Sequence, residues 1–150
     1  MPEKQTIERA RQDAREGKSP STQAGEFVRE EIHHIREGKH GARSTQQAIA
    51  IGLSKARRAG VKLKTPKIGT VSEETRRAAA RDTRKAKSGG RKKTSARRSR
   101  AMLKRLKREG RSAASPQALA KQARSAARRR SAASRSASAK KAAKTRARRR

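Results

Sequence analysis

Ser44-Thr45-Gln46-Gln47-Ala48-Ile49-Ala50-Ile51-Gly52-Leu53-Ser54-Lys55-Ala56-Arg57-Arg58-Ala59-Gly60 is the most apolar stretch of a very polar chain. Ala48, Ile49, Gly52, Leu53 and Ala56 recur at i, i+1, i+4, i+5 and i+8, one face of an α-helix. Both ends are marked. Ser44 with Gln47 three residues on reads as a capping box, in which each side chain takes up a backbone N–H that the first turn leaves without a partner. Gly60 suits the left-handed position after the last turn, and Val61 can pack back on Ala56 in a Schellman-type stop. Arg57 and Arg58 fall in the last turn, where cations complement the helix dipole.

Two helices are predicted upstream. Residues 3–16 place Ile7, Ala10 and Ala14 on one face, and Gly17 stops them. After the Ser19-Pro20-Ser21 turn, Ser21 or Thr22 caps a second helix whose apolar stripe is Ala24, Phe27, Val28, Ile32 and Ile35. Glu26, Glu30, Glu31 and Glu37 make it acidic; Gly38 ends it, and Lys39-His40-Gly41-Ala42-Arg43 is a basic loop. Downstream, Val61-Lys62-Leu63-Lys64 alternates as an extended segment does, and Thr65-Pro66 closes a small helical domain over 1–64. Arg15-Glu16-Gly17-Lys18 before Ser21, Arg36-Glu37-Gly38-Lys39 before Ser44 and Arg108-Glu109-Gly110-Arg111 before Ser115 share one order: glycine stop, polar loop, serine cap. Duplication and the recurrence of a limited capping chemistry both account for it, and each copy reads as an αα-hairpin corner.

The rest of the chain is basic. Residues 65–90 read as a linker and an Ala-rich helix opened by a capping box at Thr70-Val71-Ser72-Glu73 and running to about Lys87, with Ser88-Gly89-Gly90 as a break. Residues 91–130 read as a basic helical hairpin. One helix over 96–109 has Met102, Leu103 and Leu106 as its only larger apolar groups. The other opens at Ser115-Pro116 and carries Leu119, Ala123, Ala126 and Ala127 on one side. Residues 131–150 contain only Ala, Ser, Thr, Lys and Arg and are expected to be a disordered tail. The fold class is therefore all-α: about three N-terminal helices, further basic helices and a cationic tail.

Charge is distributed as unevenly as apolarity. The 150 residues carry a formal net charge of +33, yet residues 1–50 hold 9 Lys/Arg against 8 Asp/Glu. Residues 51–100 hold 18 against 3, and residues 101–150 hold 18 against 1. The first third can fold without strong self-repulsion, whereas the remainder repels itself unless a polyanion or counterions neutralise it. With 30% hydrophobic residues and Phe27 as the sole aromatic, no single large core is expected. The absence of cysteine excludes disulfides, zinc–thiolate sites and thiol nucleophiles. No apolar run approaches the roughly 18 residues that span a bilayer, and the N-terminus lacks the apolar core of a signal peptide. A soluble, cytoplasmic protein without membrane partners is expected.

No phosphate loop, dinucleotide fingerprint or nucleophile elbow is present, so an enzyme is not expected and no cofactor is implied. His33 and His34 are adjacent and point about 100° apart on a helix, while His40 lies in the following loop. With that spacing and no thiolate, no metal site is expected and the imidazoles read as surface groups.

Lysine and arginine neutralise phosphates and release condensed counterions, which drives sequence-independent binding to nucleic acid. Around the first helices the candidate phosphate contacts are Lys39, Arg43, Lys55, Arg57, Arg58, Lys62 and Lys64. In the basic half they are the clusters Arg91-Lys92-Lys93, Arg97, Arg98, Arg100, Lys104 and Arg105, then Arg128-Arg129-Arg130, Lys140, Lys141 and Arg148-Arg149-Arg150. Readers of RNA and of single strands stack bases on aromatic rings, and one Phe assigned to the core does not supply that mode. Double-stranded DNA is favoured. Gln46 and Gln47 have the chemistry to pair with adenine edges, but Gln47 is equally accounted for as a cap, and the turn before it is longer than in a helix-turn-helix.

Gly38-Lys39-His40-Gly41-Ala42-Arg43-Ser44 followed by Gln46-Gln47-Ala48-Ile49-Ala50-Ile51-Gly52-Leu53-Ser54-Lys55-Ala56 resembles a bacterial domain-of-unknown-function family of small basic proteins. Its core is Ser-x-x-Gln-Ala-Ile-Ala-Ile-(Ala/Gly)-Leu-Ser, and its members are often labelled DNA-binding. The likeness covers about residues 36–64 and implies DNA binding without a mechanism. The Ala/Lys/Arg/Ser tail is similar in composition to linker histones and bacterial histone-like proteins. The expected function is non-enzymatic, largely sequence-independent binding of duplex DNA in the nucleoid. The acidic, apolar helices over 3–37 would pair with a second copy or another protein. Two other functions stay open: an RNA-binding or ribosome-associated protein, and a protein-binding adaptor tethered to nucleic acid by its tail.

Overall fold

Ser19, one residue before Pro20, opens the longest helix of the computed structural model, which describes residues 2–88 and 95–148. Its side-chain oxygen accepts from the Thr22 N–H, and Pro20 occupies the first helical position, where a missing N–H costs nothing. The cap is thus Ser19 and not Ser21 or Thr22: a proline fits the first turn but cannot sit deeper. The described residues form seven α-helices and no strand: α1 Lys4–Arg15, α2 Pro20–Arg36, α3 Thr45–Arg58, α4 Glu73–Lys87, α5 Ala96–Arg108, α6 Pro116–Arg128 and α7 Ala132–Ala147. A single 3₁₀ turn covers Ser112–Ala114. The chain divides into two units, Met1–Ser115 and Pro116–Arg150.

In the first unit α2 packs on both α1 and α3, and α4 packs on α3. Phe27 and Ile35 of α2 are fully buried, with Ala24, Ala48 and Ala56 beside them in burial. Ala10, Ala24, Phe27 and Ala56 form one cluster, closed by Ile7, Leu53, Val61 and Leu63. Burying the phenyl ring stabilises the unit by roughly 1.5–3 kcal/mol. Val61 and Leu63 turn toward this cluster while Lys62 and Lys64 stay exposed, so the predicted alternation holds. The apolar stripe of α2 is consumed within the unit. Among the described residues the large exposed hydrophobics are Ile68, Val71, Met102 and Leu103, all outside residues 3–37.

Three corners share one geometry. At Gly17, Gly38 and Gly60, φ is +69°, +77° and +97°. At Gly60 the Val61 N–H donates to the Ala56 carbonyl at 3.1 Å and the Gly60 N–H to Arg57 at 3.0 Å, the paired bonds of a Schellman stop. The same pairs recur from Lys18 to Asp13 and from Lys39 to His34. The third repeat departs from this pattern: Gly110 does not take positive φ, and Glu109 is extended. That segment instead runs against the α2–α3 loop. The Gly41 N–H donates to Leu106 and the Ala42 N–H to Gly110, and a Cβ on Gly41 would lie 1.9 Å from the Glu109 carbonyl oxygen. Ala113 and Ala114 are buried, Thr45 Oγ1 donates to the Ala113 carbonyl and Arg36 Nε to that of Ala114. The first compact unit therefore reaches Ser115, well past the boundary expected at residue 64, because backbone contacts to glycine recruit a segment that has little apolar surface of its own.

Two caps differ in detail from expectation. Ser44 Oγ accepts from the Gln47 N–H, but Gln47 Oε1 accepts from Arg43 and not from Ser44, one residue further back than a capping box places it. α4 is capped by Ser72 through the Thr75 N–H. Its Glu73 binds Arg76 and Arg77, and the Arg76 guanidinium holds that carboxyl below its usual range.

In the second unit, residues 132–147 are helical, not disordered as expected. Ser131 caps α7 through the Ser134 N–H, and alanine, the strongest helix former, dominates its sequence. No residue of α7 is buried, so propensity and capping alone hold it. Residues 149 and 150, like 89–94, lie outside the described residues.

Candidate nucleic-acid interface

Several cations of the first three helices, Lys55 and Arg58 among them, are engaged by acids of the same unit. Lys55 Nζ lies 2.6 Å from Glu31 Oε2 and 3.5 Å from Glu30 Oε1, and both carboxylates are buried. Arg58 Nε donates to Asp82 Oδ1 at 2.8 Å, while the Ser54 hydroxyl donates to Asp82 Oδ2 at 2.6 Å. Arg57 is buried, and that burial pushes its guanidinium below the ordinary range against the opposing pull of Asp82. Lys39 pairs with Glu37 and Glu3, and Glu37 chiefly holds its ammonium above the usual value. Lys55, Arg57 and Arg58 accordingly serve the α2–α3–α4 packing, although Arg58 stays exposed, as do Arg43, Lys62 and Lys64. The sequence showed the acids and bases but not their pairing, because Asp82 lies 24 residues from Arg58.

Beyond α4 the pattern inverts. Among the described residues no ion pair engages a cation after Arg77. α5 holds Arg97, Arg98, Arg100, Lys104, Arg105, Lys107 and Arg108 without an acid, and all are exposed. Exposed Met102 and Leu103 interrupt that basic surface. In the second unit Arg128, Arg129, Lys140, Lys141 and Arg148 are exposed. Arg130 is turned along α7, donating to the Ser134 carbonyl at 2.9 Å and contacting Ser138 Oγ. The cluster Arg91-Lys92-Lys93 and the pair Arg149-Arg150 lie outside the described residues. Gln46, at the exposed start of α3, is the glutamine free for other contacts, since Gln47 is used as a cap.

A second constellation was hidden in the sequence. Glu31 and His34 of α2 and His40 of the following loop each present a ligand-type atom, all within 4.8 Å of one another. Glu31 and His34, three residues apart, share a helix face, and the Gly38 corner folds His40 back over it. His40 Nε2 lies 3.1 Å from Glu31 Oε1, and His34 Nε2 lies 2.8 Å from Glu3 Oε1. The hydrogen bond from His34, with Lys39 adding to it, holds the Glu3 carboxyl below its usual range.

No protein-family model, curated protein or solved structure matches the chain. Among the described residues no helix is long and apolar enough to cross a membrane.

Proposed function

We propose that the protein binds double-stranded DNA without catalysis and largely without sequence preference, as a nucleoid-associated protein. The observation that carries this is the segregation of charge. Acids engage Arg9, Arg29, Lys55 and Arg58 of α1–α3, whereas among the described residues the cations of α5–α7 stand exposed without acidic partners. A surface of that kind lowers its own repulsion by exchanging counterions for phosphates, and affinity then follows the number of phosphates met and not the bases. The scarcity of aromatic rings favours a duplex over an unstacked strand.

The test is competition at fixed salt. A labelled duplex held by the protein should be displaced equally by unlabelled duplexes of unrelated sequence, and less readily by single strands or structured RNA. Preferential displacement by structured RNA would move the function to RNA, and displacement by one duplex alone would indicate base readout.

A further inference from the structure

We propose that Glu31, His34 and His40 form a binding site for a divalent transition-metal ion of the zinc type. Two of the chain's three histidines converge there with a carboxylate that is almost wholly buried. Imidazole nitrogen with a carboxylate oxygen is a donor set for zinc and its neighbours, not for calcium or magnesium, which take oxygen shells.

The hydrogen bonds around the rings prepare them as ligands. A carbonyl oxygen only accepts, so His40 Nδ1, 3.1 Å from the Gly41 carbonyl, is the protonated nitrogen. Its Nε2 faces Glu31 Oε1 at 3.1 Å, an N···O contact that a proton closes as an ion pair and that a metal ion can close in the proton's place. A metal bound at about 2.1 Å by both would keep them at nearly this separation in a tetrahedral site. His34 repeats the arrangement: its Nε2–H donates to Glu3, leaving its other nitrogen free. Ring nitrogens fixed by a carbonyl and a carboxylate are the usual outer partners of metal-bound histidine.

Charge points in the same direction. Glu3, Glu26, Glu30, Glu31 and Glu37 gather here against Lys39, Lys55, Arg9 and Arg29, so acids outnumber bases in this neighbourhood of a strongly basic chain. A polar depression of about 240 Å³ lined by Glu3, Thr6, His34 and Glu37 gives His34 access to solvent.

Untagged full-length protein, stripped with chelator, would be titrated with Co²⁺ and then Zn²⁺. One Co²⁺ per chain should bind with the visible absorption of a tetrahedral N/O site and be displaced by Zn²⁺. H34Q and H40Q should each weaken binding by about 10-fold or more, whereas H33Q should leave it unchanged. Because a variant can lose its fold, nitrogen NMR of the wild-type imidazoles provides a second measurement. Zn²⁺ should move the resonances of His34 and His40 and leave His33 in place. Absence of a Co²⁺ band, wild-type affinity in H34Q and H40Q, or equal shifts of all three histidines would overturn the site. None of these readouts involves DNA, so the result is independent of the proposed function.

Discussion

Gly41 and Gly25 are both glycines without left-handed φ, yet their surroundings make opposite demands. A Cβ at Gly41 would meet Glu109 and Gly110 backbone atoms at 1.9–2.7 Å, and backbone cannot swing aside as a side chain does. G41A should therefore cost about 1–3 kcal/mol and release the segment around Leu106–Ala114. Nothing lies within 4 Å of a Cβ at Gly25, in the exposed interior of α2, so G25A should stabilise by about 0.5–1 kcal/mol. Chemical denaturation of the two variants side by side checks both signs. Equal effects would mean that the Gly41 contact does not form in solution. Gly60 announced its role in the sequence because a helix stop is local chemistry. Gly41 did not, since what it accommodates lies 68 residues downstream at Glu109.

α4 and α7 show how differently two Ala-rich helices can be held. α4 is tied to α3 through Asp82, which accepts from Ser54 and Arg58 and lies near buried Arg57. D82A should cost about 1.5–3 kcal/mol, because charged hydrogen bonds are lost and the Arg57 charge is left without its counter-ion. Thermal unfolding followed by far-UV circular dichroism checks it; an unchanged midpoint would detach α4 from the fold. α7 has no such tie and repels itself along its length. Its helix content should rise when duplex DNA or sulfate neutralises Arg135, Lys140, Lys141 and Lys144, read as slower amide exchange over 132–147. Exchange unaffected by polyanion would show that α7 is not a phosphate-binding element. Helix positions, glycine stops and the inward turn of Val61 and Leu63 were legible in the sequence, because periodicity and capping are encoded within a few residues. For residues 132–147 the composition points to a disordered tail, whereas the structure has a helix there, which alanine and a serine cap favour locally.

At the scale of the whole molecule, cations of the first helices have acidic partners that those of α5–α7 lack among the described residues. Composition alone exposed the asymmetry, since 18 cations against 1 acid over residues 101–150 need no structure to count. What it could not expose was which cations of the head are spent internally, a matter of long-range pairing by Glu30, Glu31 and Asp82. Nor could it show that His34, His40 and Glu31 meet, which depends on the Gly38 corner. If phosphate contact is the basis of binding, salt competes with it in a calculable way: log affinity falls by about 0.9 per phosphate for each decade of salt. The decisive experiment is a salt titration of full-length protein on two duplexes of unrelated sequence. A linear fall with a slope steeper than about −5, the same for both duplexes, is expected for six or more phosphate contacts. A slope near zero, or binding confined to one of the duplexes, would show that the exposed cations are not what holds the polymer.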